Sequence, residues 1–289
     1  MFKPILKTMR PKQWTKNLFI FAPLVFDEKL FQMNYLLKTV SGFILMCLLS
    51  STVYIINDLV DIEKDRQHPA KRHRPLPSGQ LSPKVAAGFA ILLPLACLPL
   101  SFLLDRLFGL TALTYLTVMV AYSFFLKNVL IIDVLTIAAG FVLRVAGGVV
   151  LVDVVRFSPW LYLCTTLLAL FLGLSKRRHE LMLLQQNAGE HRSILNEYSP
   201  YLLDEMIAVV TSTTVIAYSL YTFTAPNMPK NHVMMLTIPF VLYGIFRYLY
   251  IIHQKNEGGS PEEILIKDIP LIADIGLWGL MVVLFLYLF

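Results

Sequence analysis

An apolar segment of the chain ends in the stretch Tyr54-Ile55-Ile56-Asn57-Asp58-Leu59-Val60-Asp61-Ile62-Glu63-Lys64-Asp65. At about 100° per residue, an α-helix places five of its polar side chains on one face and directs Glu63 away from it. The five are Tyr54, Asn57, Asp58, Asp61 and Asp65. Aligned carboxylates repel one another unless a cation lies between them. The stretch therefore predicts a cation-binding helix end, whereas an ordinary solvated helix end, the alternative, need not align its carboxylates.

Mg2+ suits this face because it prefers hard oxygen ligands, keeps several waters and commonly bridges carboxylates to phosphate groups. The asparagine at the depth of the apolar segment adds to the argument, since polar groups within a membrane span are functional candidates. The helix end is thus expected to hold Mg2+ together with a phosphate-containing ligand.

The composition places this helix end in a membrane protein. Of the 289 residues, 56% are hydrophobic and 15% are charged, and the mean hydropathy is +0.64. A soluble domain of this length carries about a quarter charged residues. The three cysteines lie in apolar runs and form neither a disulfide framework nor a metal-ligand spacing. The net charge of +6 is typical of a basic membrane protein, and no nucleic-acid-binding motif accompanies it.

Nine segments approach the roughly 20 apolar residues that a helix needs to cross the bilayer. They are residues 17–36, 38–57, 83–104, 107–125, 129–151, 158–175, 202–224, 232–252 and 269–289. Three charged residues, Asp27, Glu28 and Lys29, interrupt the first. We therefore predict an all-α polytopic bundle of about nine transmembrane helices, with residues 1–289 as a single domain.

Basic residues predict the orientation of the bundle. With nine spans, one side receives the N-terminus and the segments 58–82, 126–128, 176–200 and 253–268, and with their flanks these hold 19 of the 25 basic residues. Cytoplasmic loops carry an excess of Lys and Arg. The N-terminus and an active-site cavity at the acidic helix end are therefore expected on the cytoplasmic side of the inner membrane, and the C-terminus outside.

A basic loop, residues 66–79, follows the acidic helix end directly. An acidic face and a basic loop side by side suit an anionic substrate, with a metal ion on one side and cations on the other. Lys71 and Arg74 are the candidate anion ligands. The positive-inside rule alone would explain the charge of this loop, but not the prolines that stiffen it.

The combination resembles a known family. Asn57-Asp58-x-x-Asp61-x-x-x-Asp65, followed by a Lys-Arg-x-Arg-Pro loop, is similar to the first acidic motif of the intramembrane UbiA-type prenyltransferases. Within that superfamily the chain is most similar to the decaprenyl-phosphate phosphoribosyltransferases. The turn Tyr122 to Lys127 belongs to the match with the superfamily as a whole, and three segments carry the likeness to the phosphoribosyltransferases: Arg10 to Asn17, Phe141 to Gly148 and Lys176 to Leu181.

One departure from the superfamily bears on the substrate. Family members that act on aromatic acceptors carry a second Asp-rich motif after the sixth span, whereas this chain has Lys176-Arg177-Arg178-His179-Glu180 there. A segment with one carboxylate among cations favours an anion site for a lipid phosphate over a second metal site. The resemblance then implies Mg2+-dependent transfer of 5-phosphoribose from phosphoribosyl diphosphate to a polyprenyl phosphate, and a homotrimer.

The motif match also assigns roles. Asn57 and Asp61 are expected to bind Mg2+, and Asp58 and Asp65 to serve as alternate ligands or to support the ligands; the three carboxylates form the catalytic set. The expected substrate-binding residues are Lys16, Tyr54, Lys71, Arg74, Tyr122, Lys127, Arg144, Lys176 and Arg177.

Arg144 lies deep in the fifth predicted span, where a charge is costly unless it is paired or faces a polar cavity. The small residues Ala146, Gly147 and Gly148 beside it permit close helix approach. Asp133, eleven residues earlier, is about 16 Å away along the same helix and too far for contact. Substrate binding and a buried structural pair remain open for Arg144.

Two other functions are compatible with parts of the sequence. A prenyltransferase that moves an isoprenoid from its diphosphate to an aromatic acceptor should carry a second carboxylate cluster. A cation-coupled transporter should carry Gly- or Pro-broken spans at matched positions in two halves, and does not need an acidic motif beside a basic loop.

Overall fold

The structure, a computed structural model, describes residues 2–67, 71–154, 158–184, 193–225, 228–255, 259 and 261–289. These residues form helices joined by turns and loops, and no strand occurs among them. The α-helices are α1 (Phe2–Met9), α2 (Ala22–Phe26), α3 (Met33–Val60), α4 (Ile62–Gln67), α5 (Pro83–Leu104), α6 (Arg106–Phe124), α7 (Ile132–Leu151), α8 (Pro159–Leu184), α9 (Pro200–Thr224), α10 (Ile238–Gln254), α11 (Pro261–Lys267) and α12 (Ile269–Leu288). The 3-10 helices are Pro11–Phe21, Lys71–His73, Leu126–Asn128, Ser193–Glu197 and Val233–Thr237.

Eight helical segments in the described part of the chain are long and apolar enough to cross a membrane. They match the last eight predicted spans, and the largest difference is in α8, which continues past the predicted end at residue 175 to Leu184. Prolines mark several of the starts, as at Pro83 and Pro200, because a proline in the first turn of a helix removes no intrahelical hydrogen bond. The prediction of an all-α membrane bundle is confirmed.

The first predicted span, 17–36, has wrong boundaries. The chain crosses the bundle earlier, as the 3-10 helix Pro11–Phe21 continued by α2, and α3 already begins at Met33. Arg10 contacts Asp58 at one end of the bundle, while the Leu30 amide donates to the Tyr287 hydroxyl near the other end (2.9 Å). At about 2.0 Å per 3-10 residue and 1.5 Å per α-helical residue, this segment is about 30 Å long, enough to span the hydrocarbon core.

The helices pack in two groups around a central cavity. The N-terminal segment packs with α3, α5, α6 and α7 around Met46, Leu49 and Phe108. The helices α8, α9, α10 and α12 share a second core around Phe171, Leu203 and Tyr248, with α7 packed between the groups against both α6 and α8. This arrangement leaves the facing sides of the two groups free to line one cavity.

Gly148 allows the closest of these approaches. A Cβ atom at this position would lie 2.1 Å from the Ile20 carbonyl oxygen, a backbone atom that cannot rotate away. At Gly147 a Cβ atom would meet the Phe108 ring at 3.2 Å. The prediction that small residues on α7 permit close helix approach is therefore confirmed, and it is the N-terminal crossing that approaches.

We expect Gly148→Ala to destabilise the bundle, because the added methyl group must push α7 away from the N-terminal crossing. Overpacking of this kind costs roughly 1–3 kcal/mol. Gly276→Ala on α12 is the matched control, since a Cβ atom there has nothing within 4 Å. The check is thermal unfolding of the detergent-solubilised protein. Equal melting temperatures for the two variants would contradict this account of the contact.

Candidate active site

One cavity of about 1030 Å³ lies between the two groups of helices. Twelve of the thirteen site residues predicted from the sequence line it: Lys16, Tyr54, Asn57, Asp61, Asp65, Lys71, Arg74, Tyr122, Lys127, Arg144, Lys176 and Arg177. They come from six separate parts of the chain. The fold therefore brings together residues that the sequence connects only through their chemistry.

The acidic helix end keeps a helical register through a local break. The helix α3 ends at Val60, and Asp61 adopts φ −97° and ψ 11°. Even so, the Asp61 amide donates to the Asn57 carbonyl (3.0 Å) and the Asp65 amide to the Asp61 carbonyl (2.8 Å). Asn57, Asp61 and Asp65 consequently follow one another on the cavity wall. Glu63 is exposed and pairs with Arg66, as the helical spacing predicts.

Cations from distant segments neutralise the two carboxylates that line the cavity at this end. The Lys127 ammonium group lies 2.6 and 2.7 Å from the two Asp61 carboxylate oxygens. The Arg74 guanidinium donates to Asp65 at 2.6 Å. This end of the cavity thus alternates carboxylates with cations, the arrangement expected where a metal ion and phosphate groups are to be held together.

Asp58 is the one predicted site residue outside the cavity lining. Its carboxylate is buried and accepts hydrogen bonds from Arg10 and from Arg74, the latter at 3.2 Å. The Arg10 guanidinium also lies over the Tyr54 ring, 5.1 Å from its centroid. Asp58 therefore anchors two arginines that reach the cavity from other segments.

Lys71 lies in the basic loop at the mouth of this polar end. Burial lowers the pKa of its ammonium group, and the neighbouring cations Arg74 and Lys176 lower it further. Glu180 and Asp65 act in the opposite direction. An anion that bound here would stabilise the charged form of Lys71.

The segment after the sixth span is held by a buried ion network. Arg177 donates to Asp133 on α7 at 2.6 Å and to Glu180 at 2.7 Å, and it reaches the Tyr122 hydroxyl at 3.0 Å. The Arg177 and Asp133 side chains are 1% and 0% exposed. Glu180, the single carboxylate in the position of the family's second acidic motif, is thus ion-paired within α8.

Arg144 is held by neutral partners. It donates to the Asn17 side chain (2.6 Å), the Gly140 carbonyl (2.7 Å) and the Tyr115 hydroxyl (2.8 Å), and it lies over the Tyr115 ring. Within the described ranges no carboxylate binds it, and Asp133 pairs with Arg177 instead. The charge of Arg144 therefore remains available to the cavity that it lines.

Sequence reasoning missed several members of this site. Arg10 and Asn17 lie in a segment that carries the family resemblance but received no role of their own, and Tyr115 lies in an apolar span. Only packing reveals their contacts. Two had a usable signal, because a carboxylate within a span is a functional candidate by itself. These are Asp133 on α7, which pairs with Arg177, and Asp274 on α12, which lines the cavity; neither was predicted as a site residue.

We expect Asp58→Ala to destabilise the protein more than Asp61→Ala. Removing Asp58 leaves Arg10 and Arg74 without their shared buried carboxylate, and breaking such a pair costs up to roughly 3–5 kcal/mol, less here because both arginines are partly exposed. Asp61 faces the cavity, where water can solvate Lys127. Thermal unfolding in detergent measures both. A higher melting temperature for Asp58→Ala than for Asp61→Ala would contradict the anchoring role.

Comparison with known proteins places this architecture in a family. Residues 29–263 match the UbiA prenyltransferase family. The chain is 32% identical over 279 residues to the decaprenyl-phosphate phosphoribosyltransferase of Mycolicibacterium smegmatis, covering 91% of this chain and 86% of the relative. It is 30% identical to the enzyme of the same name from Corynebacterium glutamicum, covering 91% and 81%.

The fold agrees with a solved member of this family. A UbiA homologue from Archaeoglobus fulgidus, solved with bound DMAPP and Mg2+, superimposes with a TM-score of 0.76 at 19% identity, over 99% of this chain and 100% of that one. The family match covers most of the sequence, and eight apolar helices accompany it. The chain is therefore an integral membrane transferase that belongs to the UbiA prenyltransferase family.

Proposed function

We propose that the protein transfers 5-phosphoribose from phosphoribosyl diphosphate to a polyprenyl phosphate. A phosphate oxygen of the lipid attacks the anomeric carbon of the ribose, and the bond from that carbon to the diphosphate oxygen breaks. Diphosphate leaves with the bonding electrons. Because an ionised phosphate is already nucleophilic, the reaction needs positioning and charge stabilisation rather than a general base.

The main support for this proposal is the excess of positive charge on the cavity wall. Nine cationic side chains line it: Arg10, Lys16, Lys64, Lys71, Arg74, Lys127, Arg144, Lys176 and Arg177. Four carboxylates face them: Asp61, Asp65, Glu180 and Asp274. Such an excess of cations suits two substrates that are both phosphorylated, since the donor carries a diphosphate and a phosphate and the acceptor carries a further phosphate. The similarity to two phosphoribosyltransferases over 91% of the chain supports the same pair of substrates.

The donor atoms at the acidic helix end fit Mg2+. Asn57, Asp61 and Asp65 offer amide and carboxylate oxygens in successive turns on the cavity wall. Within the described part of the chain, no group of three or more His, Cys, Asp or Glu side chains is placed to hold a metal ion by itself. Mg2+ is commonly held by one or two carboxylates together with substrate phosphates and water, so an open set is appropriate. When bound, the ion would neutralise charge on the diphosphate leaving group.

The chain's own cations would then bind the phosphates. Lys127 and Arg74 now neutralise Asp61 and Asp65. If those carboxylates served as metal ligands, both cations would be able to bind the diphosphate oxygens, next to Lys71. Lys176, at the cytoplasmic end of α8, is our assignment for the lipid phosphate. Arg177 orients this segment through its own ion pairs.

The apolar part of the cavity would hold the lipid chain. Its walls include Leu18, Ala22 and Val25 from the N-terminal crossing and Ile275 and Val282 from α12. An isoprenoid chain gains about 25 cal/mol for each Å² of surface removed from water, and this surface provides the contact. The acceptor phosphate can therefore remain at the polar end while its chain lies between two transmembrane segments.

The same proposal specifies the orientation. The donor is water-soluble and enters from the cytoplasm, so the polar end of the cavity faces that side. The N-terminal arm, which is α1 and Arg10, is then cytoplasmic. Tyr287 near the C-terminus lies at the opposite end of the bundle. This orientation agrees with the excess of basic residues in the loops around the polar end.

The alternative within the family is transfer of an isoprenoid from its diphosphate to an aromatic acceptor. It would require a second metal-binding carboxylate group after the sixth span, where Glu180 pairs with Arg177. A transporter would require broken helices at the substrate site. The eight long spans of the described chain are continuous helices, apart from the 3-10 turn Val233–Thr237 that precedes α10. The chain also belongs to a transferase family.

The proposed reaction is tested in membranes with labelled phosphoribosyl diphosphate and a polyprenyl phosphate, with Mg2+ or with EDTA. We expect a labelled lipid and released diphosphate in the presence of Mg2+, and neither with EDTA. Absence of labelled lipid, together with activity on a prenyl diphosphate and an aromatic acid, would overturn the proposal in favour of prenyl transfer.

We expect Asp61→Ala to lower turnover on the order of 100-fold or more while the protein remains folded, because the variant loses a metal ligand at the leaving group. Glu63→Ala is the matched control: it removes a carboxylate from the same helix end, on the exposed side. Turnover is measured by the same assay, and folding by size-exclusion chromatography in detergent. Near-normal turnover in Asp61→Ala would exclude this residue as a metal ligand.

A further inference from the structure

The last helix places a carboxyl group on the cavity wall at membrane depth. Asp274 lies five residues after the start of α12, about 8 Å along the helix axis. Its neighbour Gly244 on α10 lies ten residues before the end of that helix, about 15 Å from this end along the helix axis. Asp274 is only 9% exposed, and it lines the cavity together with Gly244, Ile275 and Trp278.

Asp274 differs from the other carboxylates of the cavity. Asp61, Asp65 and Glu180 are bound by Lys127, Arg74 and Arg177. No hydrogen bond or ion pair joins the Asp274 carboxylate to any side chain in the described ranges. Because Asp274 is 9% exposed and lines the cavity, a hydrogen-bond donor for its oxygens is water or a ligand in that cavity.

The wall beside this carboxylate is shaped to leave it room. A Cβ atom at Gly244 would lie 3.0 Å from the Asp274 Oδ2 atom, so any larger residue would press on the carboxylate. Leu271, one turn earlier on α12, is apolar and cannot donate a hydrogen bond. The missing hydrogen-bond donor must therefore come from the contents of the cavity.

The chemistry of the two proposed substrates identifies this hydrogen-bond donor. The phosphate and diphosphate groups are anionic acceptors, and a carboxylate would repel them. The polyprenyl chain has no polar hydrogen. The remaining donors are the 2- and 3-hydroxyl groups of the ribose, a cis pair that matches the two oxygens of one carboxylate. We propose that Asp274 binds these two hydroxyl groups and thereby selects a ribose donor; this inference rests on the proposed function.

Selectivity follows from the same contact. A site built to hydrogen-bond a hydroxyl group rejects an analogue that lacks it, because the protein group is then left buried and unpaired. A hydrogen bond to a charged group contributes enough to change affinity roughly 10- to 100-fold. An isoprenyl diphosphate has no hydroxyl groups at all, so Asp274 also disfavours the substrates of the prenyl-transferring relatives.

The test compares phosphoribosyl diphosphate with its 2-deoxy analogue in the wild-type protein and in Asp274→Asn and Asp274→Leu. For the wild type we expect kcat/KM to be roughly 10- to 100-fold higher for the ribose donor. The ratio should fall in Asp274→Asn and approach one in Asp274→Leu, with the loss mainly in KM. Asp153→Asn is the control: it makes the same chemical change at an exposed position whose positive φ asparagine tolerates.

The outcomes separate the two proposals. If the wild type uses neither ribose donor but does use a prenyl diphosphate, the proposed function itself fails. If the wild type uses phosphoribosyl diphosphate and both Asp274 variants keep its ribose-to-deoxyribose ratio, only the role of Asp274 is overturned. Should Asp274→Leu lose all activity, the near-isosteric Asp274→Asn decides alone, by a ratio that falls or does not. The unchanged ratio expected of Asp153→Asn excludes a general effect of lost charge.

Discussion

The polar end of the cavity depends on the ion pairs that the Asp58 carboxylate forms with two arginines. This carboxylate binds Arg10 from the N-terminal arm and Arg74 from the basic loop at the same time. Because the Asp58 carboxylate is buried, it depends on these two partly exposed arginines for its hydrogen bonds, and three separate segments of the chain are held at one point. The face of the acidic helix that lines the cavity is positioned by this contact behind it.

A second buried pair does the same for the other half of the bundle. Arg177 and Asp133 join α8 to α7 at the polar end, and Glu180 and Tyr122 complete the hydrogen bonding of the guanidinium group. With this cation fully paired, Arg144, which no carboxylate binds within the described ranges, adds positive charge to the cavity wall. The protein thus separates charges that are paired within the walls from charges that face the cavity.

The same separation explains how one fold can serve different members of its family. Under the proposed function, the acidic helix end would hold the diphosphate leaving group, whereas the segment after the sixth span and the wall of α12 would contact the remainder of the substrates. In this chain that segment is cationic, and the α12 wall carries a carboxyl group with a glycine opposite. Substrate choice can therefore change through a few side chains without altering the helices.

The sequence by itself determined the membrane-embedded helical bundle, eight of its crossings and the one-sided acidic face, because hydropathy and the helical period act locally along the chain. It also identified nine of the thirteen charged side chains that line the cavity, through the acidic motif, the basic loop and the family resemblance. Only the tertiary structure decided that Asp58 anchors rather than lines the site, that Asp133 pairs with Arg177, and that the first crossing is largely a 3-10 helix. Those outcomes depend on which side chains meet across helices, and spacing along one chain carries no information about partners on another helix.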